Sequence, residues 1–192
     1  MSSSKHFKIY KPFGMLSQLT SGEEKQTQKK RFLGELFDFP MGIMPIGRLD
    51  EKSEGLLLMT TDGKLSDYIN NSGIEKEYYA QLDGDITQVA ITQIKKGVSI
   101  GLFGKNYITK PCKVSKLIEV PKLPKANNKL RIGVHRPTSW VSITLKEGKF
   151  RQVRKMTAAV GFPTIRLVRV RIGGIHVQGL DLGEVRSTHL DF

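Results

Sequence analysis

One short stretch of this 192-residue chain carries a reactive side chain in a well-defined local context. The sequence GRLD at 47–50 follows the apolar residues 44–46 and precedes the apolar run at 56–60. A carboxylate at a strand end beside an arginine can lie in a cleft and act as a nucleophile or a general base. This pattern is more typical of a turn aspartate that hydrogen-bonds its own backbone, so by itself it does not assign a catalytic role to Asp50.

A second cluster with possible chemistry is the basic segment EGKFRQVRKM at 147–156. On a helix, Arg151, Arg154 and Lys155 are three to four positions apart and share one side. Such a side can bind an anion, although a solvated basic helix face has the same pattern.

Other catalytic classes find no support in the sequence. The four histidines are scattered and Cys112 is the single cysteine, so neither a disulfide nor a metal cage is predicted. There is no Walker loop, dinucleotide fingerprint or nucleophile elbow. No apolar run reaches the roughly 18–20 residues that cross a bilayer, and no signal peptide is recognisable at the start. These patterns predict a soluble cytoplasmic protein.

The charge is strongly basic and unevenly distributed. Lys and Arg number 31 against 18 Asp and Glu, for a net charge of +13. Residues 1–100 contain 13 basic and 13 acidic side chains, whereas residues 101–192 contain 18 and 5. Two blocks, 101–136 and 146–171, hold 17 of these 18 basic side chains. One-sided charge favours a polyanionic partner such as nucleic acid, although a basic surface can also serve solubility alone.

Strands and helices alternate irregularly along the chain. Alternating or short apolar runs predict strands at 7–12, 56–60, 77–84, 110–120, 140–145 and 162–171. Helices are predicted at 64–69, 87–96 and 151–160, with one or two helical turns at 32–37. Polar residues at 20–31 and proline and asparagine residues at 121–129 indicate loops. Without a regular βαβ order, the fold class is α+β with a mixed, mostly antiparallel sheet, flanking helices and a central cleft. We expect one catalytic domain over residues 1–192, built either as a single lobe or as two lobes.

Several blocks of the chain resemble one enzyme family. GRLDEKSEGLLLMTTDG at 47–63 resembles the GRLD-x-x-SEGLLLLTNDG block of pseudouridine synthases of the RsuA, RluB, RluE and RluF type. KEYYAQLDG at 76–84 resembles their K-x-Y motif, and the segment at 147–156 resembles their EGRNRQVRRM block. Further blocks follow in the family order: YKPFGMLSQ, RPTSW and VGFPTIRLVRVRIGGI.

The resemblance implies RNA-directed isomerisation of uridine to pseudouridine, with no cofactor and no metal. Asp50 falls on the catalytic aspartate, Tyr78 on the active-site tyrosine, and Arg154 on the position whose cation pairs with that aspartate. Val153 and Leu49 would line the apolar wall beside the base. The basic side chains expected to bind substrate RNA are Arg48, Lys76, Lys149, Arg151, Lys155, Arg166 and Arg169.

The chain departs from the family pattern at Thr61, Lys149 and Phe150, which replace asparagine, arginine and asparagine. The last two substitutions bear on RNA contacts. Because the first block begins at Tyr10, no preceding RNA-binding accessory domain is expected, which resembles the RluE-like members that modify large-subunit ribosomal RNA. The expected state is a monomer without a required protein partner. Two alternatives remain: a same-family enzyme acting on another RNA, and a non-enzymatic RNA-binding or ribosome-assembly protein.

Overall fold

The computed structural model describes residues 4–20, 29–134 and 136–192. In these ranges the strands are β1 (His6–Lys11), β2 (Met15–Leu16), β3 (Arg31–Phe32), β4 (Met44–Ile46), β5 (Glu54–Thr60), β6 (Lys76–Asp83), β7 (Ser99–Leu102), β8 (Lys105–Ile108), β9 (Lys113–Leu117), β10 (Thr138–Leu145), β11 (Thr164–Ile172), β12 (Ile175–His176) and β13 (Val185–Ser187). The α-helices are α1 (Gly63–Asn71), α2 (Gln88–Lys96) and α3 (Gln152–Ala159), and a 3₁₀ turn covers Leu33–Glu35. The predicted α+β class is therefore confirmed.

The chain forms two compact units. Unit 1 comprises residues 1–74 and 169–192, and unit 2 comprises residues 75–168. In unit 1, β1 pairs antiparallel with both β5 and β13, and β4 pairs antiparallel with the other edge of β5. All seven residues of β5 are buried, which explains why residues 56–59 are continuously apolar rather than alternating.

Unit 2 is built on the antiparallel strands β6, β10 and β9, with β10 in the middle. Its core joins apolar side chains from β6 and β10 to side chains from α2 and α3, among them Leu82, Ile94, Val141 and Met156. A separate hairpin, β7–β8, packs against α3. Among the described residues, the pairings of β1 with β5 and β13, of β4 with β5, of β6 and β9 with β10, and of β7 with β8 are antiparallel, whereas the short β2–β3 pair and the isolated bridge between Gly84 and Thr138 are parallel.

Local sequence signals account for the helix ends. The side chain of Asp62 accepts a hydrogen bond from the Leu65 N–H at 3.0 Å and caps the start of α1. Thr87 caps α2 by accepting from the Ala90 N–H at 3.2 Å, and Gly97 ends α2 at φ +103°. Helix α3 begins at Gln152, because Arg151 is left-handed at φ +53°. The prediction that Arg151 shares a helical side with Arg154 and Lys155 was therefore wrong.

The prediction of a polar loop at 20–31 falls largely on residues 21–28, which lie outside the described ranges. Among the described residues, no helix has both the length and the apolar character needed to cross a lipid bilayer.

Candidate active site

In unit 1, the GRLD sequence forms the connection between β4 and β5. Gly47 begins it at φ +66°, a left-handed conformation that favours glycine. The next three side chains differ in exposure: Arg48 is exposed, Leu49 is buried and Asp50 is half-buried. The Asp50 carbonyl accepts a hydrogen bond from the Ser53 N–H at 2.9 Å, so Asp50 opens a β-turn. A half-buried carboxylate at this position has the accessibility that a reactive group needs.

Ser17 fixes the backbone next to Asp50. The Ser17 hydroxyl donates to the Leu49 carbonyl at 2.8 Å. The Leu49 N–H in turn donates to the Ser17 hydroxyl oxygen at 3.0 Å. On the other side of Asp50, the Gly14 N–H donates to the Glu51 carbonyl at 2.8 Å. The segment after β1 therefore holds the GRLD connection on both sides of the aspartate.

Lys11 is a charged group that the sequence prediction missed. Its side chain is fully buried, and its Nζ donates to the carbonyls of Pro12 at 2.9 Å and Met15 at 2.6 Å. Burial lowers the pKa of Lys11 from 10.5 to about 7, and the negative charges of Glu54 and Asp50 only partly oppose this effect. Lys11 is therefore a buried amine that interacts electrostatically with Asp50. The sequence gives little signal for this burial, because β1 also contains His6 and Lys8, which are only half-buried.

Arg169 also lies in unit 1 and is 2% exposed. Its Nε donates to the Leu56 carbonyl of β5 at 2.7 Å, and its positive charge helps to lower the pKa of Lys11, after burial as the main cause. Arg169 is thus part of the buried polar surroundings of Lys11. The predicted role of Arg169 in RNA docking gains no support from its exposure.

In unit 2, strand β6 carries Lys76 and Tyr78. These residues are two positions apart and therefore lie on one face of the strand, together with Ala80. Tyr78 is half-buried and packs against the unit 2 core, which contains Val153 of α3. The structure therefore brings the predicted active-site tyrosine and the predicted apolar wall residue into one apolar cluster.

Arg154 is held at the start of β11. Its Nη1 donates to the Thr164 carbonyl at 3.1 Å, and its own carbonyl accepts a hydrogen bond from the Thr157 hydroxyl at 3.2 Å. Thr157 and Thr164 are hydrogen-bonded to each other at 2.8 Å. The Arg154 guanidinium is therefore oriented by the backbone of its own unit.

The remaining basic residues fall into two groups. Lys149 and Arg151 are exposed and Lys155 is half-buried, so these three belong to the surface of unit 2. Arg166 is 5% exposed, and its Nη2 donates to the Pro124 carbonyl at 2.8 Å. Like Arg169, Arg166 gains no support for RNA docking from its exposure.

The described residues offer little for metal or thiol chemistry. Within 4–20, 29–134 and 136–192, no three His, Cys, Asp or Glu side chains gather as a metal site would require. Burial raises the pKa of the Cys112 thiol to about 11, with a smaller contribution from the charge of Glu147. Cys112 is therefore protonated at neutral pH and is a poor nucleophile.

Ser17→Ala is expected to lower the free energy of unfolding by about 2 kcal/mol, because it leaves the buried N–H and C=O of Leu49 without their shared partner. Urea denaturation followed by circular dichroism measures this change. The matched control is Ser99→Ala, which removes an exposed hydroxyl and should be nearly neutral. Equal losses in the two variants would contradict the importance of the Ser17–Leu49 pair.

Comparison with known proteins places these features in a family. The family model for RNA pseudouridylate synthase matches residues 5–159. The ribosomal large subunit pseudouridine synthase E of Vibrio vulnificus (strain CMCP6) is 39% identical over 184 residues, which cover 94% of this chain and 73% of that protein. The protein of the same name from Xanthomonas campestris pv. campestris is 37% identical over 180 residues, covering 93% and 92%.

A solved structure agrees with this assignment. A crystal structure of a pseudouridylate synthase matches with a TM-score of 0.76 and 25% identity, covering 98% of this chain and 72% of that one. The resemblance found in the motifs is thereby confirmed over nearly the whole chain. The chain belongs to the RNA pseudouridylate synthase family and is an enzyme of that class.

Proposed function

We propose that this enzyme converts a uridine of large-subunit ribosomal RNA to pseudouridine, with Asp50 as the catalytic carboxylate. The names of the Vibrio and Xanthomonas relatives support the substrate. The observation that supports the proposal is the hydrogen bonding of the GRLD connection by Ser17 and Gly14 on both sides of a half-buried Asp50. Catalytic groups need such fixed placement, because small misplacements cost large factors in rate.

The reaction defines what the site must do. The bond between N1 of uracil and C1′ of the sugar breaks, the base rotates, and C5 bonds to C1′. The proton lost from C5 is balanced by one gained at N1. Asp50 would act on the sugar or the ring, as a nucleophile or as a base. Tyr78 would stack on the uracil and assist removal of the C5 proton.

Apolar and basic residues complete the proposed site. Leu49 and Val153, both nearly fully buried, would border the uracil and keep the detached base from water. Arg48, which is exposed, would fill the gap left when the uridine leaves its stack. Lys76 would bind on the substrate side, and Arg154 would supply the cation that pairs with the carboxylate, as the family motifs imply.

Arg154→Ala should lower kcat by roughly a hundredfold, a size typical for loss of an electrostatic partner in the transition state, with a smaller effect on RNA affinity. Steady-state kinetics on transcribed ribosomal RNA separates the two effects. The conservative Arg154→Lys change should restore part of the rate. Normal turnover in Arg154→Ala would contradict a role for this guanidinium beside the carboxylate.

RNA affinity would come from the basic surface of unit 2, where Lys149, Arg151 and Lys155 are accessible. Phosphate contacts of this kind make binding depend steeply on salt. With ribosomal RNA as the substrate, the enzyme would act in the cytoplasm, as a monomer without a required protein partner.

Mapping pseudouridines in ribosomal RNA from cells with and without the gene tests the substrate. One large-subunit position should lose its pseudouridine in the deletion strain and regain it when the gene is restored. A lost position in small-subunit or transfer RNA would assign another substrate. An unchanged map would favour a non-enzymatic role in ribosome assembly.

A further inference from the structure

Unit 2 displays a pair of stacked aromatic rings on its surface. Phe103 is 87% exposed and Phe150 is 56% exposed, and their ring centroids are 6.1 Å apart with an angle of 29° between the ring planes. They come from positions 47 residues apart in the sequence, namely the β7–β8 turn and the turn before α3. Large exposed aromatic groups that lie together often mark a binding surface.

The backbone at Phe103 is in an unfavourable conformation. Phe103 has φ +48° and the following Gly104 has φ +78°, so both central residues of the two-residue turn are left-handed. Turns of this type favour Asn-Gly, and a bulky side chain with positive φ is strained. A phenylalanine that is strained and also exposed contributes little to folding, which points to a role in binding.

The two turns are firmly joined. Glu147 accepts hydrogen bonds from the Tyr107 hydroxyl at 2.6 Å, from the Lys110 N–H at 2.9 Å and from the Gln152 side chain at 2.6 Å. Lys155 Nζ donates to the Gly101 carbonyl of β7 at 2.6 Å. These contacts connect the hairpin to the segment before α3, so the two rings are positioned before any ligand arrives.

Positive charge surrounds the rings. Lys155 Nζ lies 5.1 Å from the centroid of the Phe150 ring, and Lys149 Nζ lies 5.1 Å from that of Tyr107. Arg151 is exposed next to Phe150. Aromatic faces between cations match a nucleic acid strand, because bases stack on the rings while phosphates meet the charges. An acidic partner would use only the positive charges, and a purely apolar partner would use only the aromatic rings.

We propose that Phe103 and Phe150 form a stacking platform for an unpaired base of the RNA substrate, other than the uridine that reacts, with Lys149 and Lys155 binding the adjacent phosphates. This proposal rests on the proposed function, because it takes RNA as the substrate. It assigns a base-stacking role to Phe150, at a position where the family pattern has an asparagine.

The test measures binding of a fluorescein-labelled twelve-residue oligouridylate, and of transcribed large-subunit ribosomal RNA, by fluorescence anisotropy. Stacking contributes enough per base that the Phe103→Ala, Phe150→Ala double variant should bind about 10- to 100-fold more weakly. Phe103→Leu should bind as weakly as Phe103→Ala, because stacking needs the aromatic ring. Leucine keeps most of the apolar volume but has no ring. Phe103→Trp should retain affinity, and oligouridylate should quench its fluorescence.

Phe37→Ala is the matched control, since it removes a partly exposed ring from unit 1 and should leave RNA affinity unchanged. Thermal melts monitored by circular dichroism confirm that each variant is folded. Lys149→Ala should weaken binding and lower the slope of log affinity against log salt by about 1. A salt slope equal to that of the wild type would overturn the phosphate contact.

RNA affinity equal to that of the wild type in the double variant, or full affinity in Phe103→Leu, would overturn the platform. So would full RNA affinity together with lost binding to RNA-free ribosomal proteins, which would assign the rings to a protein partner. Pseudouridine formation by the wild-type enzyme is measured in parallel on the same RNA. Failure of that reaction rejects the proposed function, whereas normal reaction with unchanged binding by the variants rejects the platform alone.

Discussion

Asp50→Asn should abolish pseudouridine formation, with a loss of more than about a thousandfold, while RNA binding stays within a few fold of the wild type. Asparagine has nearly the same shape, so the turn that joins Asp50 to Ser53 can persist. It has no negative charge, and it can act neither as a nucleophile toward the sugar nor as a base. Losses of this size follow removal of one essential catalytic group. Release of tritium from RNA labelled at C5 of uridine measures the reaction, because the C5–H bond must break.

Glu51→Gln is the matched control for this experiment. Glu51 is in the same turn, and its carboxylate pairs with Lys30 at 2.9 Å on the surface. Removing its charge should change the rate by less than about threefold, since exposed ion pairs contribute little. Substantial turnover by Asp50→Asn would remove Asp50 from the chemistry, and RNA binding without turnover in the wild type would favour the assembly role.

Lys11→Met should change how stability depends on pH. In the wild type the pKa of Lys11 falls from 10.5 to about 7 on folding, so between these values the unfolded chain binds the additional proton. The free energy of unfolding therefore rises with pH across this window. One pKa unit corresponds to about 1.4 kcal/mol, so the contribution of Lys11 rises by on the order of 5 kcal/mol between pH 7 and pH 10.5. Below pH 7 the amine is charged in both states, and its contribution is constant.

Urea denaturation at several pH values measures this difference. The curve of Lys11→Met should lack the rise attributed to Lys11, while all other titrating groups affect both proteins alike. Lys8→Met removes a partly exposed lysine from the same strand, and its curve should run parallel to that of the wild type. Parallel curves for Lys11→Met and wild type would show that Glu54 and Asp50 keep the buried amine charged after folding.

The parts of the fold with strong local signals could be predicted from the sequence. Thr87 and Gly97 fixed both ends of α2, and the apolar run before Thr60 indicated a buried strand. The β7–β8 hairpin was missed because its turn is Phe103-Gly104 rather than the usual Asn-Gly pair. Phe103 adopts a backbone conformation that its residue type disfavours, and propensity therefore points away from the observed turn.

Burial of individual charges was the main limit in predicting the site. The motifs proposed Asp50 and Tyr78 for the site, and the structure puts both at half-buried positions. A basic block does not show which of its members face water, and Arg166 and Arg169 proved to be buried in a strand of mostly apolar residues. The same holds for Lys11, because tertiary packing and not the local sequence determines which lysine becomes buried. The spacing of apolar residues indicates that a charged residue is buried only when apolar residues flank it on both sides.

The division of the chain into units has a consequence for synthesis on the ribosome. Unit 2 is continuous in sequence, whereas unit 1 needs residues 169–192 in addition to its first 74. Strand β1 gains its β13 partner only after residues 185–187 have been synthesised. Domains emerging from the ribosome usually fold in N- to C-terminal order. Here unit 2 should acquire protease resistance first, and unit 1 with its GRLD connection should do so only after residues 169–192 have been synthesised.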